Sequence, residues 1–325
     1  MRAFVHEYGE LKMKEMTEPF ADQGLVRVAL KTAGLNRRDS FVPVRRGEDA
    51  AALILGSDGA GVVDAVGEGV TDFSEGDEVI INPSLNWFNN AEAPPEGFDI
   101  LGMPDHGTFA ESIVLKPDQL EKKPEHLTWE EAGVLALSAM TGYRALFTKG
   151  KIHEGETLFI PGAGSGVATY LIQFAKAAGA RVIVSSRSAD KREKAEALGA
   201  DLAIDTNSDW TEVLRDETVD IVIDSVGAAT LNRSLEVVKK GGRVIVFGAT
   251  AGDTAEIDLR AFFYGQYKLI GSTMASRDEL RAMIELIENH KIHPVVDRTY
   301  QLDEGAEALD YLSESKQFGK ISINI

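Results

Sequence analysis

The chain of 325 residues has no cysteine. That removes disulfides, thiolate nucleophiles, iron–sulfur ligation and every zinc site that depends on sulfur donors. Long apolar runs are also missing, since no window approaches about 18 uninterrupted apolar residues, the length a membrane-spanning helix needs. The opening stretch MRAFVHEYGELKMKEM puts charges where a signal peptide needs an apolar core. A cytoplasmic protein with no membrane partner is expected. Positive charge is scarce as well: 34 basic residues stand against 52 acidic ones, for a formal charge of -18. Without a long basic run, such a surface repels nucleic acid, and no nucleic-acid partner is expected.

What is plentiful is glycine, with 31 residues, in a chain that is 44% hydrophobic and long enough for two cores. Over the first 120 or so positions, short apolar runs such as GLVRVALKTAGL, GAGVVDAVGEGV, GDEVIIN and GTFAESIVL alternate with Gly, Asp and Pro. They predict a curled, mainly β domain. Between them PSLNWFNNAEAPPEGFDILG reads as an excursion loop. From about residue 126 the texture changes. TLFIP, RVIVSS, DLAID, VDIVIDSV, GRVIVFGAT and KLIGST read as strands separated by helical patterns, the alternation of a doubly wound parallel sheet. The tail adds a helix at RDELRAMIELIENH, a strand near VVDRTYQL, a helix at EGAEALDYL and the ending GKISINI. The predicted domains are 1–122 with 275–325, and 123–274.

The first strand of the α/β half runs into PGAGSGVATYLIQFAKAAG. Glycines at a strand-to-helix turn let backbone amides approach a pyrophosphate, and the helix directs its positive end at the same place. Gly164, Ser165, Gly166 and Val167 are the predicted cradle, although Thr169 stands where the third glycine of G-x-G-x-x-G belongs. About 20 residues beyond the turn, an Asp or Glu would usually accept the adenosine ribose hydroxyls. This chain offers Ser185, Ser186 and Arg187, with Lys191 on the next helix. A carboxylate would repel a 2′-phosphate, whereas Ser186, Arg187 and Lys191 can bind one, so the predicted cofactor is NADP(H). Ser188 reads as a helix N-cap. The strand ends DSVG and VFGAT add Ser225, Phe247, Gly248 and Ala249 as candidate contacts at the sheet's carboxyl edge.

Together these blocks, with LGSDGAGVVDAVGEGVTDFSEGDEV, LALSAMTGYRALF and the terminal QFGKISINI, resemble the medium-chain dehydrogenase/reductase superfamily over essentially the whole chain, and most of all its zinc-free, quinone-oxidoreductase-like members. The resemblance implies a Rossmann doubly wound parallel sheet inserted into a GroES-like, mainly β catalytic domain. It also implies a homodimer paired through the sheet edge KLIGST, a Thr141 beside the nicotinamide, and a Lys320 approaching the cofactor phosphates. Zinc enzymes of the superfamily carry a cysteine in the segment matching AGLNRRD and a Gly-His-Glu in the segment matching GSD. Here Asn36 and Gly56-Ser57-Asp58 stand there, and the loop matching the four-cysteine lobe has no cysteine. No metal is expected. His106 and the pair His290 and His293 read as surface or cap chemistry.

Without a Lewis acid, alcohol oxidation loses its alkoxide stabiliser. Hydride delivery to an electron-poor acceptor remains feasible, so the predicted reaction is transfer from NADPH to a quinone or an α,β-unsaturated carbonyl. Asn36 is the first candidate to line the acceptor site. Asp58 is a weaker one, able to hold a basic neighbour such as Arg37 or Arg38. Some quinone oxidoreductases carry a tyrosine where this chain has Phe41, which leaves an apolar wall in its place. Arg45 and Arg46 fall at the pocket rim by the same resemblance. Two other classes stay open: a non-catalytic NADP(H)-binding sensor or structural protein, and a zinc-type alcohol dehydrogenase with substituted ligands.

Overall fold

Strands Thr157–Pro161 and Val219–Asp224 are buried at every position, as parallel strands covered on both faces must be. They form the centre of a six-stranded sheet in the computed structural model, which describes all of residues 1–325. The strand order is Leu202–Asp205, Arg181–Ser186, Thr157–Pro161, Val219–Asp224, Val238–Val246 and Lys268–Gly271, and every pairing is parallel. This is the doubly wound order, whose direction reverses between the two central strands and opens a crevice at their carboxyl ends. Helices Gly166–Ala177, Ala189–Leu198 and Leu231–Val237 lie among the crossovers. Beneath them Phe159, Ile183, Trp210, Val222 and Val244 share one core. The Phe159 ring meets the Trp210 ring edge-on at 4.9 Å, and the Arg233 guanidinium lies 3.8 Å over that same indole.

The sheet belongs to the compact unit Ala139–Met274; the other unit comprises Met1–Ser138 and Ala275–Ile325. In the latter, a mainly antiparallel seven-stranded sheet runs Leu120–Lys122, Glu78–Ile81, Asp58–Val66, Val26–Gly34, Lys320–Asn324 and Val296–Gln301, with Ser112–Leu115 also paired to Val26–Gly34. Ser322 pairs with Gly34, so the last strand closes the sheet beside the strand that leads into Leu35 and Asn36. A three-stranded sheet of Glu10–Glu15, Arg2–Glu7 and Leu53–Ile54 completes the β framework. The GroES-like and Rossmann pieces expected from the sequence are both present.

Two details differ from the sequence-based expectation. Residues 123–138 group with the β unit rather than the α/β unit. Helix Trp129–Gly133 docks there: Thr32 Oγ1 donates to Trp129 O at 2.5 Å, and a Cβ at Gly133 would come within 2.3 Å of that hydroxyl. The excursion loop is also less irregular than its composition suggests. Strands Ser84–Leu85 and Asp99–Ile100 pair, and the buried Trp87 meets Phe98 edge-on at 5.2 Å.

Candidate active site

In the α/β unit the glycine turn forms where the first strand meets its helix. Gly162 and Ala163 donate to Ser185 O at 3.1 and 2.9 Å, tying the turn to the neighbouring strand. Ser165 caps helix Gly166–Ala177 by accepting from Ala168 N at 3.1 Å. The amides of Gly166 and Val167 precede Thr169 N, which donates to Ser165 O as the first backbone bond of the helix, and remain as donors for an anion. Thr169, in the third-glycine position, turns its hydroxyl onto Gly166 O at 2.8 Å and leaves the turn open. A Cβ built at Gly164 would lie 3.0 Å from Lys191 Nζ, so the lysine's ammonium stands beside the cradle.

The end of strand Arg181–Ser186 is equally organised. Ser186 is buried and its Oγ accepts from Ser188 N at 3.2 Å; Ser188 in turn caps the next helix at Lys191 N, 3.4 Å away. Arg192 Nη1 donates to Ser186 O at 2.7 Å and lies 3.6 Å from Asp205. Arg187 is exposed. Ser186, Arg187 and Lys191 are thus brought to one sheet corner, and Arg192, marked by no motif, holds the backbone that presents them.

At the other central strand Asp224 is fully buried and accepts from Val226 N at 2.7 Å, Gly227 N at 3.1 Å and Ser234 Oγ at 3.1 Å. It fixes the turn that carries Ser225. The adjacent turn follows in register: Phe247 N donates to Asp224 O and Thr250 N to Ser225 O. Gly227 has φ +89, and a Cβ there would lie 2.6 Å from Gly252 O, so only glycine lets the two turns approach. Phe247 and Gly248 are half-buried and Ala249 exposed on this edge. Thr141, on helix Ala136–Tyr143, is buried with its Oγ1 3.9 Å from Met274 Sδ.

The β unit holds the two residues expected to be catalytic, and it brings them together. Asn36 Nδ2 donates to Asp58 Oδ2 at 3.0 Å; Asp58 Oδ1 accepts from Leu137 N at 2.7 Å. Their basic neighbour is neither Arg37 nor Arg38 but Lys320, whose Nζ lies 3.2 Å from Asp58 Oδ2 and 2.6 Å from Asn36 Oδ1. Lys320, expected to approach the cofactor phosphates, has a side chain 3% exposed whose ammonium bonds inside the β unit. Arg38 instead donates to Ser57 Oγ at 2.5 Å and Leu101 O at 2.8 Å, and Arg37 to Ser315 Oγ. Asp39 is fully buried; one oxygen accepts from Asn36 N at 2.7 Å while Oδ1 has no partner. Burial pushes its carboxyl up to about 6, opposed by the Arg38 charge. Phe41 is exposed rather than a wall, and Arg46 bonds His6 O and Ala51 O.

These residues do not fit zinc. Asn36, Ser57 and Asp58 spend their donors and acceptors on one another, on Lys320, on Arg38 and on backbone, with Ser57 Oγ donating to Leu101 O at 2.7 Å. His106 Nδ1 accepts from Ile54 N, His293 pairs with Glu131, and His290 closes helix Arg277–His290. No group of three or more His, Asp or Glu side chains converges as a metal site.

Residues 22–125 match the alcohol dehydrogenase GroES-like domain, and residues 166–289 match the zinc-binding dehydrogenase family. The chain is 33% identical to a zinc-type alcohol dehydrogenase-like protein, YogA, of Leptosphaeria maculans, covering 98% of this chain and 95% of that protein. It is 31% identical to crotonyl-CoA reductase of Streptomyces collinus over 90% of this chain and 72% of that one. Among solved structures, an NAD-dependent alcohol dehydrogenase superposes with TM-score 0.92 at 35% identity, covering 100% of both chains. The 2-octenoyl-CoA carboxylase reductase CinF, solved with NADP and 2-octenoyl-CoA, superposes with TM-score 0.89 at 26% identity over 99% of this chain and 87% of that chain. Two matched domains in the family order, a doubly wound sheet and a ligand set without cysteine or histidine place the chain in the medium-chain dehydrogenase/reductase superfamily, as a zinc-free member.

Proposed function

We propose that the protein is an NADP(H)-dependent reductase of α,β-unsaturated carbonyl compounds, of the enoyl-thioester type, that works without a metal. The observation that carries this reading is a glycine-turn cradle in a chain whose substituted ligand set is closed on Asn36, Asp58 and Lys320. The crotonyl-CoA reductase and the enoyl-CoA-bound CinF among its relatives support the acceptor class. Of the two acceptors the sequence left open, the activated alkene is favoured over the quinone on that ground.

NADPH would supply the hydride for the β-carbon of the acceptor, with the α-carbon proton coming from solvent. The cradle amides of Gly164, Ser165, Gly166 and Val167 hold the pyrophosphate. Ser186, Arg187 and Lys191 take the 2′-phosphate, while Ser225, Phe247, Gly248, Ala249 and Thr141 contact the ribose and nicotinamide. Asn36, oriented by Asp58, lines the acceptor site.

Two further points complete the reading. The enzyme is cytoplasmic, in keeping with its demand for NADPH; no helix is long and apolar enough to cross a membrane. It is a homodimer through strand Lys268–Gly271, the terminal strand of its sheet, near which Leu269, Phe263 and Tyr264 are exposed. The test is NADPH oxidation by purified protein with crotonyl-CoA, an enone panel and 1,4-benzoquinone. Turnover of the thioester supports the reading; tight NADPH binding with no turnover on any acceptor replaces it with a nucleotide-binding protein.

A further inference from the structure

Asn36, Asp58, Ser138 and Lys320 come from segments up to 284 residues apart and converge in one buried polar cluster. The Lys320 ammonium has three protons and four acceptors within 3.2 Å: Leu35 O at 2.7 Å, Asn36 Oδ1 at 2.6 Å, and Ser138 Oγ and Asp58 Oδ2 at 3.2 Å. It has no donor left for another ligand. Burying an ammonium is expensive, and Lys320 opens a strand in which Ile321 and Ile323 are buried aliphatics.

The Asn36 carboxamide is held at both ends. Its Oδ1 accepts from Lys320 and, at 3.3 Å, from Ser138 Oγ; its Nδ2 donates to Asp58 and, at 3.4 Å, to Gly34 O. Turning the amide over would set Nδ2 against the ammonium and Oδ1 against the carboxylate. Lys320 and Asp58 therefore both set which way the amide faces, each penalising the flipped orientation.

We propose that Lys320 is a positioning residue of this enzyme: its ammonium locks the Asn36 carboxamide and balances Asp58, and it does not bind the cofactor phosphates. The proposal rests on the reading of Asn36 as an acceptor-site residue.

The test uses full-length Lys320→Met and the double variant Lys320→Met with Asp58→Asn, which removes the unpaired buried charge if the single variant folds poorly. NADPH affinity, kcat with crotonyl-CoA, thermal unfolding and the Asn36 side-chain resonances of protein labelled with 15N-asparagine are measured. The single variant is expected to lose about 30-fold in kcat, to keep NADPH affinity within about 2-fold, and to shift the Asn36 resonances. The double variant recovers thermal stability without recovering kcat. A loss of about 10-fold or more in NADPH affinity at nearly unchanged kcat would show the ammonium serving the cofactor and overturn the proposal. Recovery of kcat together with stability would reduce the residue to a structural role, with the same result. If the wild-type protein turns over no acceptor, the functional reading fails, while unmoved Asn36 resonances would still reject the positioning role and shifted ones would keep it.

Discussion

The two candidate sites are built in opposite ways. In the α/β unit the polar groups offered to a ligand are backbone amides at a helix start, and the side chains around them, Ser165, Ser186 and Asp224, bond to backbone N–H groups and hold turns in shape. In the β unit the side chains bond to one another. Asp39, Asp58 and Lys320 are buried and Arg38 is half-buried, so two acids and two bases stand together with Asn36 among them. The first site is prepared to receive charge, and the second already contains and balances its own. A phosphorylated cofactor suits the former; the latter suits a neutral, electron-poor acceptor.

Breaking the scaffold of the first site should have the largest effect. Asp224→Ala strips three hydrogen bonds from a fully buried carboxylate site, and a destabilisation of about 3 kcal/mol is expected in chemical denaturation, with loss of NADPH binding. Unchanged cofactor affinity would detach Asp224 from the site. Arg187→Ala sharpens the contrast by touching only the received charge: NADPH binding should weaken by roughly 1–3 kcal/mol and NADH binding should stay as it was. Equal loss for both nucleotides in a titration would reject the 2′-phosphate assignment.

The balanced set of the second site is best probed by pH. Burial lifts Asp39 from 3.8 to about 6 in the folded protein, so its contribution to stability is present at low pH and is lost as pH rises through about 6. Asp39→Asn removes that dependence. Relative to wild type the variant should gain roughly 2 kcal/mol between about pH 4 and about pH 7, read from denaturation midpoints. A constant difference across that range would mean the carboxyl is not perturbed. The smallest effect is expected for Ser188→Ala, which removes one helix cap: about 1 kcal/mol of stability, with the preference for NADPH over NADH intact.

The same contrast explains what the sequence revealed. The cradle, the basic corner and the strands that carry them lie within one contiguous strand-helix-strand run, so apolar periodicity and glycine spacing sufficed to read them. Asn36 and Asp58 were legible as substituted positions, but their bonding was not, because Lys320 and Ser138 reach them only through the closure of a sheet by the last strand. The bonding of Lys320 was illegible for that reason, as was its choice over Arg37 or Arg38 as the basic neighbour of Asp58. Asp224 carried a usable signal, an aspartate at a strand end bonding the amide two residues on, as an Asx turn does. Arg192 carried none, since a helical arginine bonding a backbone carbonyl looks like any solvated one. The docking of residues 123–138 on the β unit likewise depends on a close approach between Gly133 and Thr32 that spacing alone does not encode.

The most direct measurement follows deuterium from NADPH labelled at the nicotinamide C4 into crotonyl-CoA, using protein freed of metal by chelation. Label at the β-carbon of the saturated thioester, at a rate indifferent to added zinc, is the predicted result. Label that reaches product only after zinc is restored, or no transfer to the thioester alongside brisk oxidation of simple alcohols, would contradict the account.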